Sequence, residues 1–374
     1  MIQNHMKNTN LTSISLFSGA GGMDIGFENS GFNIEWSNDS DKDSCETYNE
    51  NFKTKINHGL IQDYMNKLNT FKHVDCIFGG PPCQGFSVAG KMSVDDPRSQ
   101  HVLNFMKIVK RLKPRSFVME NVPSLATLKN FLNFRRQLIQ IAEDNGYSCE
   151  IIILNSKDFN VSQSRKRMFF IGVKTKNPLF LNERFSKFKK PELNTFDKIK
   201  ILGVQGTEKN PKTCNAKITL ALKPILRKSP YAGMLFNGLG RSINPKTPSC
   251  TLPASMGGNK TPIIDENHFY GDGKSWIEKY HKRLLSGKKP LGMHDVPCFL
   301  RRLTINEAKL LQDFPKDFTF KGSKSSIYKQ IGNSVPVNLA KIVANVTKEI
   351  ILEKNLPKVQ NQQLNLSLQS ENFL

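Results

Sequence analysis

No apolar run in this chain approaches the roughly 18 residues that a membrane-spanning helix needs; Ile151-Ile152-Ile153-Leu154 is typical of what is there. The N-terminal stretch, with Gln3, Asn4, His5 and Lys7, is too polar for a secretory signal, so a cytoplasmic protein with no membrane partner is expected. Cysteine is sparse and shows no pairing pattern. The seven thiols, at positions 45, 76, 83, 149, 214, 250 and 298, are odd in number and include no Cys-x-x-Cys. That argues against a disulfide framework and a structural zinc site, and the thiols are expected to be reduced and mostly small core residues. Internal repeats are absent, and acidic residues are few: 32 Asp+Glu face 54 Lys+Arg, a net charge of +22.

The 374 residues, 38% hydrophobic and 23% charged with 25 Phe, suffice for one large domain or two small ones and exclude disorder throughout. An excess of +22 calls for an anionic polymer as partner. Its distribution sharpens the point, because residues 174–300 hold 23 Lys+Arg and 9 Asp+Glu, net +14, and the other 247 residues hold only +8. The lesser alternative, on composition alone, is a generically solubilising basic surface.

Residues 12–173 alternate short apolar runs with amphipathic stretches, the pattern of an α/β sheet. Strands are expected over 12–17, 33–37, 74–78, 117–120, 149–154 and 168–173, and helices over 102–112 and 131–144. The last two strands, with no helical pattern between them, should close the sheet antiparallel. Beyond 174 the periodicity fades into what reads as loops and short strands, so a second structural region begins there. Order returns at Thr304 and Glu307, spaced as a capping box, and Leu339, Ile342, Val343, Val346 and Ile350 mark one helical face. Residues 353–374, rich in Gln, Asn and Ser, read as a disordered tail.

Four strand ends carry chemistry. Phe17-Ser18-Gly19-Ala20-Gly21-Gly22 follows the first strand and opens a helix, as ligand-binding turns do. Asp24 stands where a dinucleotide fingerprint has its third glycine and would repel a pyrophosphate, so a cofactor without phosphates fits better. The second strand ends at Asp39, placed to accept hydrogen bonds from ribose hydroxyls, although alone it reads more simply as a helix cap. Gly79-Gly80-Pro81-Pro82-Cys83 puts a thiol at the apex of a rigid loop, the placement of a nucleophile rather than of a core cysteine such as Cys76. Glu120 closes the next strand, as an ion-pair partner or as an acid beside that nucleophile. All four converge at the edge where open α/β sheets bind ligands.

At this point the sequence resembles the DNA (cytosine-5)-methyltransferases. The match runs in family order through Phe17 to Gly22, Pro81-Pro82-Cys83-Gln84, Asp96-Pro97-Arg98-Ser99, Glu120-Asn121-Val122, Gln163-Ser164-Arg165-Lys166-Arg167, Arg302-Leu303-Thr304 with Glu307 and Gln312-Asp313-Phe314-Pro315, and Gln330-Ile331-Gly332-Asn333-Ser334-Val335-Pro336. The resemblance implies a doubly wound, Rossmann-like α/β sheet binding S-adenosyl-L-methionine, with a smaller, mostly β/loop target-recognition domain. Residues 1–190, completed by 328–352, would form the catalytic domain and 191–327 the basic recognition domain.

It further implies that Cys83 attacks C6 of a flipped-out cytosine, that Glu120 contacts N3 and the exocyclic amino group, and that Arg165 and Arg167 support the activated ring. The cofactor would lie against Phe17, Ser18, Gly19, Ala20, Gly21, Gly22, Asp39, Pro81, Asn333, Ser334 and Val335. Double-stranded DNA would meet Gln84, Ser87, Arg98, Arg241 and the loop Met256-Gly257-Gly258-Asn259-Lys260. A monomer serving a restriction-modification system is expected, with any cognate endonuclease acting without a stable complex. Ser40, Leu60 and His101 depart from the family's adenine pocket, where Gln62 or Asp63 could supply the missing acidic contact. The rivals are a tRNA cytosine-5 methyltransferase, which would not need so large a basic insertion, and a silent DNA-binding protein, in which the nucleophile or acid would have eroded.

Overall fold

The structure is a computed structural model in which residues 11–82 and 100–353 are described. Its centre is a sheet of seven strands: β1 (Leu11–Leu16), β2 (Phe32–Asp39), β3 (Asn57–His58), β4 (Cys76–Gly79), β5 (Ser116–Asn121), β6 (Ser148–Asn155) and β7 (Lys166–Val173). The spatial order is β3-β2-β1-β4-β5-β7-β6, with the first five parallel and β7 antiparallel to both β5 and β6. Strand order therefore reverses between β1 and β4, which makes the carboxyl ends of those two strands the natural ligand crevice. All six expected strands are present; β3, two residues long, carries too little pattern to be read from sequence.

Helices α1 (Gly22–Glu28), α2 (Lys42–Asn51), α3 (Met65–Leu68), α4 (Gln100–Leu112), α5 (Pro123–Thr127) and α6 (Leu132–Glu143) connect these strands. Alternate strand residues face opposite ways, so Leu11 joins a core with Phe27 of α1, and Ile14 joins another with Phe105 of α4 and Leu138 of α6. Helices thus cover both faces of the sheet, as expected.

The middle of the chain is more helical than its faded periodicity suggests. Helices α7 (Leu181–Ser186), α8 (Thr195–Ile199), α9 (Glu266–Tyr270) and α10 (Trp276–Leu285) interleave with short strands β8 (Leu220–Ile225), β9 (Met234–Phe236), β10 (Ile263–Asp265) and β11 (Leu300–Arg302). The reading of loops and short strands missed α10, whose buried Ile277, Tyr280, His281 and Leu284 do repeat at helical spacing. A separate core forms here from Ile199, Ile243, Leu252, Met256, Leu303 and Leu311. The capping box at Thr304 and Glu307 opens α11 (Ile305–Leu311), followed by α12 (Lys324–Asn333) and α13 (Val337–Leu352).

The chain end returns to its beginning. Helix α13 crosses α1 so closely that a Cβ on Gly26 would lie 2.6 Å from Ala340 Cβ, and Val343, Val346 and Ile350 enter the same core as Met23 and Phe27. Of the six described cysteines, Cys45, Cys76 and Cys214 are buried and Cys298 is exposed, so half rather than most are core residues. The tail expected at 353–374 lies, apart from Glu353, outside the described residues.

Candidate active site

The turn after β1 is built from unusual backbone. Phe17, Gly19 and Gly21 all have positive φ, at 55°, 54° and 88°, a region that costs Phe17 about 1–3 kcal/mol and marks a constrained site. The neighbours of the two glycines show what each is for. A Cβ on Gly21 would meet the Phe52 ring at 2.3 Å, whereas one on Gly19 would find nothing among the described residues within 4 Å. Gly21 lets the turn sit down on the protein, and Gly19 is uncovered by the described residues, so a ligand can reach its backbone.

Asp39 holds this turn in place. Its Oδ2 accepts from Gly19 N–H at 2.8 Å and its Oδ1 from Asp41 N–H at 2.8 Å. Burial raises its pKa, against the lowering effect of those amides. The cap of α2 is instead Asp41, which accepts from Ser44 N–H. Across the crevice, a Cβ on Gly22 would be 2.9 Å from Ser334 Cβ and 3.0 Å from Val335 O, so residues from opposite ends of the sequence line one wall.

One expectation for this neighbourhood changes. Asp24 is fully buried beneath the turn, its Oδ1 accepting from Tyr48 O–H at 3.0 Å, and burial pushes its pKa up to about 7. It therefore does not present a charge to a ligand, and the repulsion of a pyrophosphate by Asp24 loses its basis. His101 packs edge-on against Phe17, ring centroids 5.6 Å apart, as a packing residue would. Ser40 and Leu60 are exposed at the same rim. The Gly19 backbone, the half-buried Phe17 ring and the Asp39 carboxylate fit a nucleoside cofactor.

The second half of the site lies at the ends of β4 and β5. Gly79 allows β4 to approach β1, since a Cβ there would be 1.9 Å from Leu16 O. A Cβ on Gly80 would lie 2.8 Å from Glu120 Oε2, while Glu120 Oε1 pairs with Arg167 Nε at 2.8 Å. Burial raises the Glu120 pKa, opposed first by Arg167 and then by Arg165. Asn121 Nδ2 donates to Pro81 O at 3.2 Å, fixing the entry of the proline loop. That role of Asn121 escaped sequence reasoning, although the residue adjoins Glu120 in the Glu120-Asn121-Val122 motif. Cys83, Gln84, Ser87 and Arg98 lie outside the described residues.

Arg165 and Arg167 differ in placement. Arg167 reaches the carboxylate, whereas the buried Arg165 donates to Leu252 O at 3.0 Å and Gly332 O at 2.7 Å. Beside them opens a cavity of about 590 Å³ whose walls include Pro123, Ser164, Lys166, Tyr231, Arg241 and Thr251. Nothing in the sequence singles out Lys166 or Tyr231 as cavity residues. Of the loop 256–260, Met256 is buried in the core of the middle region and Asn259 and Lys260 are exposed.

The family model for C-5 cytosine-specific DNA methylases matches residues 11–349. The chain belongs to that family and is an enzyme of the DNA (cytosine-5-)-methyltransferase class. The Type II methyltransferase M.FnuDI of Fusobacterium nucleatum is 32% identical over 362 residues, covering 94% of this chain and 98% of the relative. The Type II methyltransferase M1.HphI of Haemophilus parahaemolyticus is 34% identical, covering 92% of this chain and 87% of its own. Among solved structures, the methyltransferase EhMeth of Entamoeba histolytica superimposes with a TM-score of 0.64 at 20% identity, over 92% of this chain and 100% of that one. The S. pombe Dnmt2 methyltransferase gives 0.64 at 18%, over 91% and 99%. The sheet described above is the Rossmann-like fold these structures share.

Proposed function

We propose that this enzyme methylates C5 of a flipped-out cytosine within a specific sequence of double-stranded DNA, as the modification partner of a restriction system. The observation that carries the chemistry is the Glu120 carboxylate, ion-paired to Arg167 and lying against Gly80 at the root of the loop that leads to Cys83. Bound S-adenosyl-L-methionine supplies an electrophilic methyl group. Phe17 to Gly22, Asp39, Pro81 and the segment 333–335 hold it, with Gly19 providing the close backbone approach.

Cytosine C5 is a sluggish nucleophile, and Cys83 activates it. The thiolate forms a bond to C6, the C5–C6 π electrons become available at C5, and Glu120 stabilises the proton taken up at N3. After methylation, a water or other base takes the C5 proton, the electrons of the C5–H bond expel the thiolate from C6, and N3 gives up its proton, which restores the aromatic ring. A free thiol has a pKa near 8.5, so the loop or a neighbour must favour the thiolate. Arg167 orients Glu120, and Arg165, held by carbonyls, supports the ring indirectly through the wall it assembles. Extruding the base costs a few kcal/mol, offset by pocket contacts and by cations on the phosphates.

The catalytic domain comprises residues 1–190 and 328–352, and 191–327 read the sequence, with the duplex in the cleft beside Lys166 and Arg241. The enzyme acts as a monomer, and no helix among the described residues is long and apolar enough to cross a membrane. Bisulfite sequencing of genomic DNA from a host expressing the protein tests this reading. Protected cytosines confined to one short sequence are expected; unmodified genomic DNA with methylated tRNA would overturn it.

A further inference from the structure

Between the cofactor wall and the DNA cleft lies a buried chain of side-chain amides. Leu252 N–H donates to Gln163 Oε1 at 3.1 Å, and Gln163 Nε2 donates to Gln312 Oε1 at 3.0 Å and to Leu311 O at 3.1 Å. Gln312 Nε2 in turn donates to Ile331 O at 2.6 Å and to Ser334 O at 3.1 Å. Both glutamines are fully buried, and each has both amide hydrogens and its oxygen engaged. Arg165 runs parallel to them, joining Leu252 O to Gly332 O. The peptide groups around Leu252 are therefore gripped from both sides and tied to residues 331–334.

The two ends of this relay reach different ligands' territory. Leu252 follows Thr251, which lines the cleft cavity and donates to Ser164 O at 2.7 Å. Ser334 lies against Gly22 of the glycine turn. The two segments that the relay ties are packed closely, since a Cβ on Gly332 would be 2.5 Å from Pro253 O and 2.6 Å from Ala254 Cα. Two glutamines are an expensive way to fill a core: a buried amide left unpaired costs about 1–3 kcal/mol, so each bond in the chain enforces the next.

We propose that Gln163 and Gln312 are positioning residues that lock the cofactor wall at Ser334 to the cleft segment at Leu252, so that cofactor affinity depends on that segment. The proposal rests on the reading that residues 333–335 contact the cofactor. Neither glutamine touches substrate; both act through the backbone they hold. Gln312→Met keeps the approximate volume and removes both donors to the wall, and Gln163→Met cuts the link to Leu252 while leaving those donors in place.

Steady-state kinetics on both variants, with S-adenosyl-L-methionine and host genomic DNA varied in turn, separate positioning from bulk stability. The KM for the cofactor should rise about 10-fold with kcat within about twofold, and the double variant should add little to either single one, as expected of one coupled unit. A lower melting temperature with both KM values unchanged would overturn the proposal. Hydrogen exchange on the unmodified protein provides a check that does not depend on the variants folding. Adding S-adenosyl-L-methionine should slow exchange at 331–335 and also at 249–254. Protection at 331–335 alone would sink the relay, and protection at neither would sink the cofactor reading instead.

Discussion

A Cβ on Gly80 would stand 2.8 Å from Oε2 of Glu120, so the root of the proline loop and the acid at the end of β5 are in direct register. Arg167 holds the other carboxylate oxygen, which prevents Glu120 from simply swinging aside. Gly80→Ala should therefore displace either the carboxylate or the loop. A fall of about 10- to 100-fold in kcat is expected, the scale of a small misplacement at a reacting centre, with a melting temperature close to the parent's. Single-turnover methylation and thermal melting, measured together, check it.

Glu120→Gln keeps the shape of the side chain and removes the charge that stabilises a proton on N3. A loss of about 10²- to 10⁴-fold in the single-turnover rate is expected, the range of acid-base groups. An unchanged rate would show that Glu120 only pairs with Arg167.

The pH dependence should respond to Arg167. Burial raises the Glu120 pKa and Arg167 is the larger of the two influences lowering it. Removing that cation in Arg167→Gln should raise the pKa further and shift the acidic limb of the rate profile to higher pH, because the ionised carboxylate is the working form. A profile with the limb in place would separate Arg167 from the chemistry.

Much of this site was legible because it lies at strand ends. The apolar runs set the strands, their order set the sheet, and Gly19, Asp39, Pro81 and Glu120 fell at one edge of it. Side-chain partners were less legible. Asp24 reads as an exposed acid because the spacing of a turn does not reveal that Tyr48 reaches beneath it. Arg165 and Arg167 are two apart on one segment, yet one binds carbonyls and the other a carboxylate, a difference made by residues 252 and 332, far along the chain. Met256 sits in a polar, glycine-rich loop, and only the packing of Leu252, Leu303 and Leu311 around it shows that it is core.

Asp24 should leave a signature in stability. Its pKa is raised in the folded state from 3.8 to about 7, so the folded protein binds the extra proton between those values. The resulting stabilisation is fully present below about pH 3.8 and is lost as pH rises through about 7, with a limiting slope of about 1.4 kcal/mol per pH unit. Relative to Asp24→Asn, the parent should lose melting temperature from about pH 4 to about pH 7, a window set by those two values. Parallel melting curves across that range would contradict the assignment.

Specificity and affinity should separate in the cleft. Neutralising Lys166 or Arg241, which line the cavity, should weaken binding to all duplexes alike and flatten the salt dependence by about one unit of slope for each phosphate left without its cation. Changing the exposed Asn259 or Lys260 should alter which cytosines are modified, since a base contact contributes about 1–3 kcal/mol of discrimination. Met256→Leu, a change within the core, should leave the pattern intact. Genome-wide methylation maps of the three kinds of variant distinguish these outcomes.

Covalent catalysis by Cys83 is the centre of this account, and bisulfite sequencing of host DNA expressing Cys83→Ser, paired with a duplex-binding assay on the purified variant, tests it most directly. The thiol acts in the bond-forming step and adds little to phosphate binding, so methylation should vanish while duplex binding stays near the parent's. Normal methylation by the serine variant would contradict the account.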